Sequence, residues 1–356
     1  MSNDTNSNSN STSTNGTNIV DNRATNVMKL TSFSGYRISE VKKCMYNDIL
    51  QQKLESACNW GSELICSGQI DEVWNIFVLF VSKHVLLANP KLPIYIEERY
   101  NTYKNLVNTE MEMSTTEEWG KLEIRNNFKV RELIAEVCAI ILFSARKPGI
   151  EFIKINTEDE FNVFNITKKC FAPNTSFAKP IMRNEDSKEL WIAINEFSYQ
   201  INNMDNHVPD IMKSIYWIEW VIGFNIICKK NKTKCVCEPR IKYKVDSRYQ
   251  VDIVWLLWDA LLYYSEKRGG IYFKIIQGLS SMYCIEYSDT VAKKRKTILY
   301  HAVMILTEPF NMGVKIIDSN NLMYCDVAIQ NIHEVYREKR VNEQGLMKYL
   351  YDPNIL

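Results

Sequence analysis

An excess of charge of either sign is missing from this chain: 43 lysines and arginines stand against 42 aspartates and glutamates, leaving +1 at neutral pH. No global field therefore draws it to nucleic acid or to a membrane surface, and any electrostatic partner has to be met by a local patch. Long hydrophobic runs are missing too. The longest, Val73 to Ala88 and Ser214 to Cys228, fall short of the ~20 residues that cross a bilayer, and they carry Lys83, His84 and Glu219. No transmembrane helix and no membrane partner are expected. The first residues hold no basic stretch followed by an apolar one, so no secretory signal is read. The expected location is intracellular: the cytoplasm, or the host cytoplasm or viral factory if the chain is viral.

The fingerprints of common chemistry are also absent. No Gly-x-x-x-x-Gly-Lys-Ser/Thr loop occurs, which removes the backbone nest for phosphates and the lysine that would sit on them, and with these ATP hydrolysis. No His-Glu-x-x-His, Gly-x-Ser-x-Gly or Gly-x-Gly-x-x-Gly occurs either. Cys228, Cys235 and Cys237 lack the paired Cys-x-x-Cys spacing of zinc ribbons and have no histidine nearby. His84 and His301 fall inside apolar helical stretches, where a hydrogen-bonded core histidine is the common outcome. The expectation is a protein that is not an enzyme, with no catalytic residue, no metal and no cofactor.

What is present is material for folding. Hydrophobic residues make up 46% of 356, enough for the cores of about two domains. The ten cysteines are scattered, mostly within apolar helical stretches where a reduced thiol acts as a small hydrophobe, which fits a reducing compartment. Residues 1–28 are nearly all Ser, Asn, Thr, Asp and Gly and read as a disordered tail. Asn, Ile, Lys and Tyr are abundant throughout, as in AT-rich genomes such as those of many large DNA viruses.

The apolar spacing predicts a mainly α protein. Ile38, Val41, Met45 and Ile49 mark a first helix with Ser39 as its N-cap. A second runs from Leu54 to Cys66 and stops at Ser67 and Gly68. A third runs from Asp71 to about Leu87, and a fourth opens at Pro93 and covers about 94–106. Residues 108–127 read as an exposed polar insertion, and Phe128 to Ala145 as a core helix. Short apolar runs, Ile150 to Ile155 and Phe161 to Ile166, predict a small β-hairpin. Helices resume over 190–202, 208–228, 251–267, 272–286, 292–307 and 325–340, with an extended stretch from Val314 to Asp318. The expected domains are a helical one over 29–150, a linker with the hairpin over 151–188, and a second helical one over 189–356.

Three cues recur in order, suggesting a duplicated helical unit. The first copy has Trp60, then Asp71 and Trp74, then Leu133 to Leu142 ending at Pro148; the second has Trp217 and Trp220, then Asp252, Trp255 and Trp258, then Ile298 to Leu306 ending at Pro309. The tryptophans at helical spacing read as core or helix-interface residues.

Gly35, Tyr36, Arg37, Ile38 and Ser39, then Ala57, Trp60, Gly68 and Ser82, then Ala88, Asn89 and Pro90, carry a resemblance over about Phe33 to Pro148. The region resembles the C-terminal oligomerising part of the MgsA, RarA and Werner-helicase-interacting AAA+ family, and His301, Ala302 and Val303 resemble a segment of stand-alone phage relatives. In that family Ser82 is usually followed by acidic residues; here Lys83, His84 and Val85 follow. The resemblance implies the collar of a clamp-loader-like machine without its motor, and hence a homo-oligomer.

The strongest local chemistry lies at 229–249. Lys229, Lys230, Lys232, Lys234, Arg240, Lys242, Lys244 and Arg248 are eight basic residues against two acidic ones, Glu238 and Asp246. Tyr243 and Tyr249 lie among them and could stack on bases. A second cluster, Lys293, Lys294, Arg295 and Lys296, opens a predicted helix, where positive charge opposes the helix dipole. Both clusters are candidate nucleic-acid contacts, set against the plainer reading of the first as a solvated loop between helices. The function expected is a non-enzymatic oligomeric accessory or scaffold protein in DNA replication, recombination or repair, with DNA or replication proteins as partners. The alternative is a structural or virion-associated protein of a large DNA virus with no direct nucleic-acid role.

Overall fold

In the computed structural model the described residues are 16–21, 23, 27–113, 120, 122–149, 161, 163–202 and 208–350. Among them the chain forms thirteen α-helices and no strand, a mainly-α helical bundle. The first run of the expected hairpin lies outside the described residues. Of its second run, Val163–Thr167 forms one short helix, α6, and 314–318 is irregular.

The chain separates into two compact units, each assembled from distant segments. The first comprises Met1–Ile76, Asn101–Phe143 and Ser319–Leu356, and the second Phe77–Tyr100 and Ser144–Asp318. This partition differs from the two consecutive domains expected. A helix packs wherever its apolar face finds a complement, and the last helix finds its complement within the first unit.

In the first unit, α1 (Ile38–Leu50) buries Ile38, Val41, Met45 and Ile49, the stripe its spacing predicts. Its N-cap is Arg37, without a side-chain bond, in place of the expected Ser39. The chain is steered into α1 by an isolated bridge between Thr31 and Arg37 and by the backbone bond from Ile38 N–H to Leu30 O at 3.0 Å. Helix α2 (Leu54–Cys66) ends as predicted: Gly68 takes φ +69°, a conformation that a Cβ disfavours, and its N–H bonds the Ile65 carbonyl at 3.0 Å. The division falls within α3 (Ile70–His84) and α4 (Leu92–Met113).

Helix α5 (Phe128–Phe143) is buried along most of its length, Arg131 included. The final helix, α13 (Leu322–Leu350), packs against it in the antiparallel sense: Phe128 stacks on His333 with ring centres 4.2 Å apart, and Phe143 on Tyr324 at 4.5 Å. Glu63 of α2 is 1% exposed and is met by Lys339 Nζ at 2.7 Å, Ser32 Oγ at 2.6 Å and Ser34 N–H at 2.7 Å. Burial works to raise its carboxyl, yet Lys339 and the serines hold it below the ordinary carboxylate range.

Two expectations are corrected here. Of the predicted disordered tail, residues 17–21 are docked: Asn126 exchanges two bonds with the Ile19 backbone at 2.9 and 3.0 Å, Arg131 reaches the Thr17 carbonyl at 3.2 Å, and Arg125 donates to Asp21 O. Ile19 and Met28 are buried, at 2% and 0% exposure. Composition misses this because two apolar side chains suffice when partner residues supply the backbone's hydrogen bonds. Residues 1–15 lie outside the described residues. The predicted exposed insertion likewise contains buried Leu122, Ile124 and Arg125.

In the second unit, α7 (Trp191–Ile201), α8 (Ile211–Lys230), α9 (Val254–Arg268), α10 (Gly270–Cys284) and α12 (Lys296–Thr307) pack around Trp217, Trp255 and Trp258, each at most 1% exposed. Asp210 caps α8 by accepting from Lys213 N–H at 3.0 Å. Among the described helices α8 alone is long and apolar enough to cross a membrane, yet it buries Trp217, Ile218, Trp220 and Val221 within the protein. Gly278 of α10 permits close approach to α4, since a Cβ there would meet the Pro93 carbonyl at 2.6 Å. A short helix, α11 (Asp289–Lys294), precedes α12, so the single predicted helix over 292–307 is interrupted at Arg295.

Candidate nucleic-acid interface

The basic segment leaves the end of α8 and is held to the second unit from beneath. Arg240 is fully buried and all five of its N–H donors are matched. Nε bonds Asp259 Oδ2 at 2.7 Å. Nη1 bonds Asp186 Oδ1 at 3.0 Å and Glu238 O at 2.9 Å, and Nη2 bonds Asp186 Oδ2 at 2.7 Å and Ile181 O at 3.3 Å. Burial works to lower the guanidinium pKa, and the two carboxylates reverse this and hold it above its ordinary value. Backbone bonds from Arg240 N–H to Gln250 O and from Cys237 N–H to Val251 O, each 3.0 Å, tie the middle of the segment to its end. In its second half the loop of 229–248 is anchored by buried Arg240 and Tyr243, while most of its other residues there stay exposed.

Arg240 is consequently withdrawn from the set of nucleic-acid contacts. Tyr243 is withdrawn as a stacking platform: it is 4% exposed, its ring lies 4.4 Å from that of Trp255, and its hydroxyl donates to Asp259 at 2.8 Å. Tyr249 is half-buried and meets Tyr287 edge-on, with the Arg248 guanidinium over its ring at 4.7 Å.

The second cluster is also redistributed. Arg295 is 2% exposed and donates to the carbonyls of Met282 and Tyr283, both at 3.1 Å, and of Ile285, closing the C-terminal end of α10. Burial lowers its pKa to about 10. Lys296 pairs with Glu219 of α8 at 2.7 Å. Lys293 and Lys294 stand in the last turn of α11, where positive charge suits the helix dipole. The predicted conflict with the dipole is thus removed for Lys293 and Lys294, whose helix is capped by Ser288 accepting from Val291 N–H at 3.3 Å, whereas Arg295 and Lys296 do stand at the N-terminus of α12, where Glu219 offsets Lys296.

Lys229 reaches across to Asp289, the first residue of α11, at 3.1 Å, so the end of α8 and the start of α11 are neighbours although 60 positions apart in sequence. Lys230, Lys232, Lys234, Lys244, Lys293 and Lys294 are exposed and form no ion pair among the described residues. Lys242 is half-exposed and pairs with Asp259 at 2.7 Å, and Arg248 with Asp246 at 3.5 Å. Six exposed ammonium groups on the basic segment and α11 are thus without an ion-pair partner among the described residues, and Arg240 anchors the loop that carries Lys244.

Asp186 and Asp259, which organise this support, were not singled out from the sequence. Asp259 carried a signal: one carboxylate in an otherwise apolar helical turn between Trp258 and Ala260 implies a buried partner. Asp186 carried none, since it lies in the stretch expected to be a linker.

Six of the ten cysteines and His301 are buried, while Cys44, Cys170, Cys235, Cys284 and His84 are half-buried. Cys235 shares a hydrogen bond with the Cys228 thiol, Cys237 points at the Asp252 carbonyl at 3.2 Å, and burial pushes both Cys235 and Cys237 up to about 12. His301 is 3% exposed, and its Nε2–H donates to the Ser82 carbonyl at 3.2 Å. Among the described residues no group of three His, Cys, Asp or Glu side chains is placed to hold a metal ion.

No family model, curated protein or solved structure matches the chain.

Proposed function

We propose that this protein is a non-enzymatic accessory protein of DNA replication, recombination or repair, which self-associates and holds DNA by its phosphate backbone. The observation that carries the reading is that Lys230, Lys232, Lys234, Lys244, Lys293 and Lys294 are all exposed and form no ion pair among the described residues, while the Lys229–Asp289 pair brings the end of α8 beside the start of α11. In a chain of net charge +1 such a group is a local exception, and releasing counterions from phosphates is its most direct use. The resemblance of residues 33–148 to the oligomerising region of the MgsA and RarA family supports self-association.

Filter binding at two salt concentrations, with light scattering on the same sample, tests both parts. Replacing Lys230, Lys232, Lys234 and Lys244 by Ala is expected to weaken DNA binding by about tenfold or more, and to flatten the salt dependence by roughly 0.9 for each phosphate left without its lysine. Stability moves by no more than about 0.5 kcal/mol, because all four side chains are exposed. Wild-type protein that retains no DNA at low salt rejects the reading in favour of a structural or virion-associated role. A strictly monomeric mass rejects self-association.

A further inference from the structure

Resting on that DNA contact, we infer that the basic face takes double-stranded DNA by its backbone, without regard to sequence, and discriminates against single strands. Proteins that hold single strands combine a cationic groove with aromatic faces on which unpaired bases stack. This face has cations and no free ring. Tyr243 is sealed against Trp255, and Tyr249 is engaged by Tyr287 at its edge and by Arg248 over its face. The exposed apolar side chain of the segment, Ile241, is 76% exposed, and as an aliphatic group it has no π-surface for a base.

The same geometry furnishes little for base readout in a groove. A guanine edge is read best by a planar arginine fork. Arg240 and Arg295 are both buried, which leaves Arg248, 71% exposed and paired with Asp246 at 3.5 Å, as the exposed guanidinium of these clusters. The other exposed cations of these clusters are lysines, which meet phosphate as point charges, and phosphate contacts carry no sequence information. Duplex DNA presents those charges at the higher density, about one per 1.7 Å of axis, so lysines on two adjoining elements gain more from it than from a flexible single strand.

The test uses the full chain and one labelled oligonucleotide, free or annealed to its complement, together with an AT-only and a GC-only duplex at the same salt. The duplex is expected to bind about tenfold or more tightly than the single strand, and the AT and GC duplexes to agree within about threefold. Single strand bound as tightly as duplex overturns the inference while leaving the DNA contact standing. Retention of neither overturns the contact itself. A Tyr249→Leu variant is expected to bind duplex within about threefold of wild type, and a loss of tenfold or more would show that the ring touches DNA and overturn the inference.

Discussion

Arg240 has every donor matched inside the protein, and two carboxylates depend on it. Asp186 has no exposed side-chain surface and Asp259 has 8%, so deleting the guanidinium leaves both charges in a site that water barely reaches. An Arg240→Ala variant is expected to lose about 3–5 kcal/mol of unfolding free energy, the usual consequence of breaking a buried ion pair on one side. Urea denaturation checks this, and a loss below about 1 kcal/mol would mean the network is not closed as described. His301 gives the residue-scale pH dependence. Its imidazole is pushed down to about 4 by burial, against about 6.5 in an unfolded chain. Between those values the unfolded chain binds a proton that the native ring excludes. Stability is therefore kept above the unfolded value and falls as the pH drops through the window, by on the order of 3 kcal/mol in all. Glu63, held below the carboxylate range, adds its own loss only at more acidic pH. Urea midpoints from pH 7 to about 4.5 are expected to decline for wild type and to flatten for His301→Gln, which keeps a donor for Ser82 but does not titrate. An unchanged slope in the variant would refute the assignment.

Elements follow local rules until a distant partner overrides them. The stripe of α1 and the glycine stop of α2 depend on residues a few positions apart, and both are where the sequence puts them. The N-terminal segment behaves otherwise, because its order is conferred by Asn126, Arg125 and Arg131, more than a hundred positions away. Removing residues 1–28 is expected to lower stability by at least about 2 kcal/mol, because Ile19 and Met28 no longer bury their side chains and the bonds to Thr17, Ile19 and Asp21 go with them. Differential scanning calorimetry decides it, and a truncated chain that melts with the full one would show the segment to be loosely attached. The α11–α12 break is the same effect at shorter range. The apolar pattern runs on through 292–307, but burying Arg295 at the end of α10 interrupts the helix there.

At the scale of the whole molecule, the sequence by itself determined that the chain is mainly helical, where most of its helices lie and that Trp74, Trp217, Trp220, Trp255 and Trp258 build cores. Each of these follows from periodicity and capping within a dozen or so residues, and side-chain hydrophobicity fixes which face turns inward. It also located the cationic segments, since charge is legible residue by residue. Only the tertiary structure decided which segments assemble into each unit, because α13 meets α5 and Lys339 meets Glu63 across separations that carry no local signal. Tertiary structure likewise sorted the basic residues. Lys230 and Arg240 read alike in the sequence as parts of one positive run. Burial beside Asp186 and Asp259 makes Arg240 structural, whereas Lys230 forms no ion pair among the described residues and stays exposed to solvent. The physical reason is that a charge acquires its role from the partners and the dielectric around it, and both are set by the packing of distant helices.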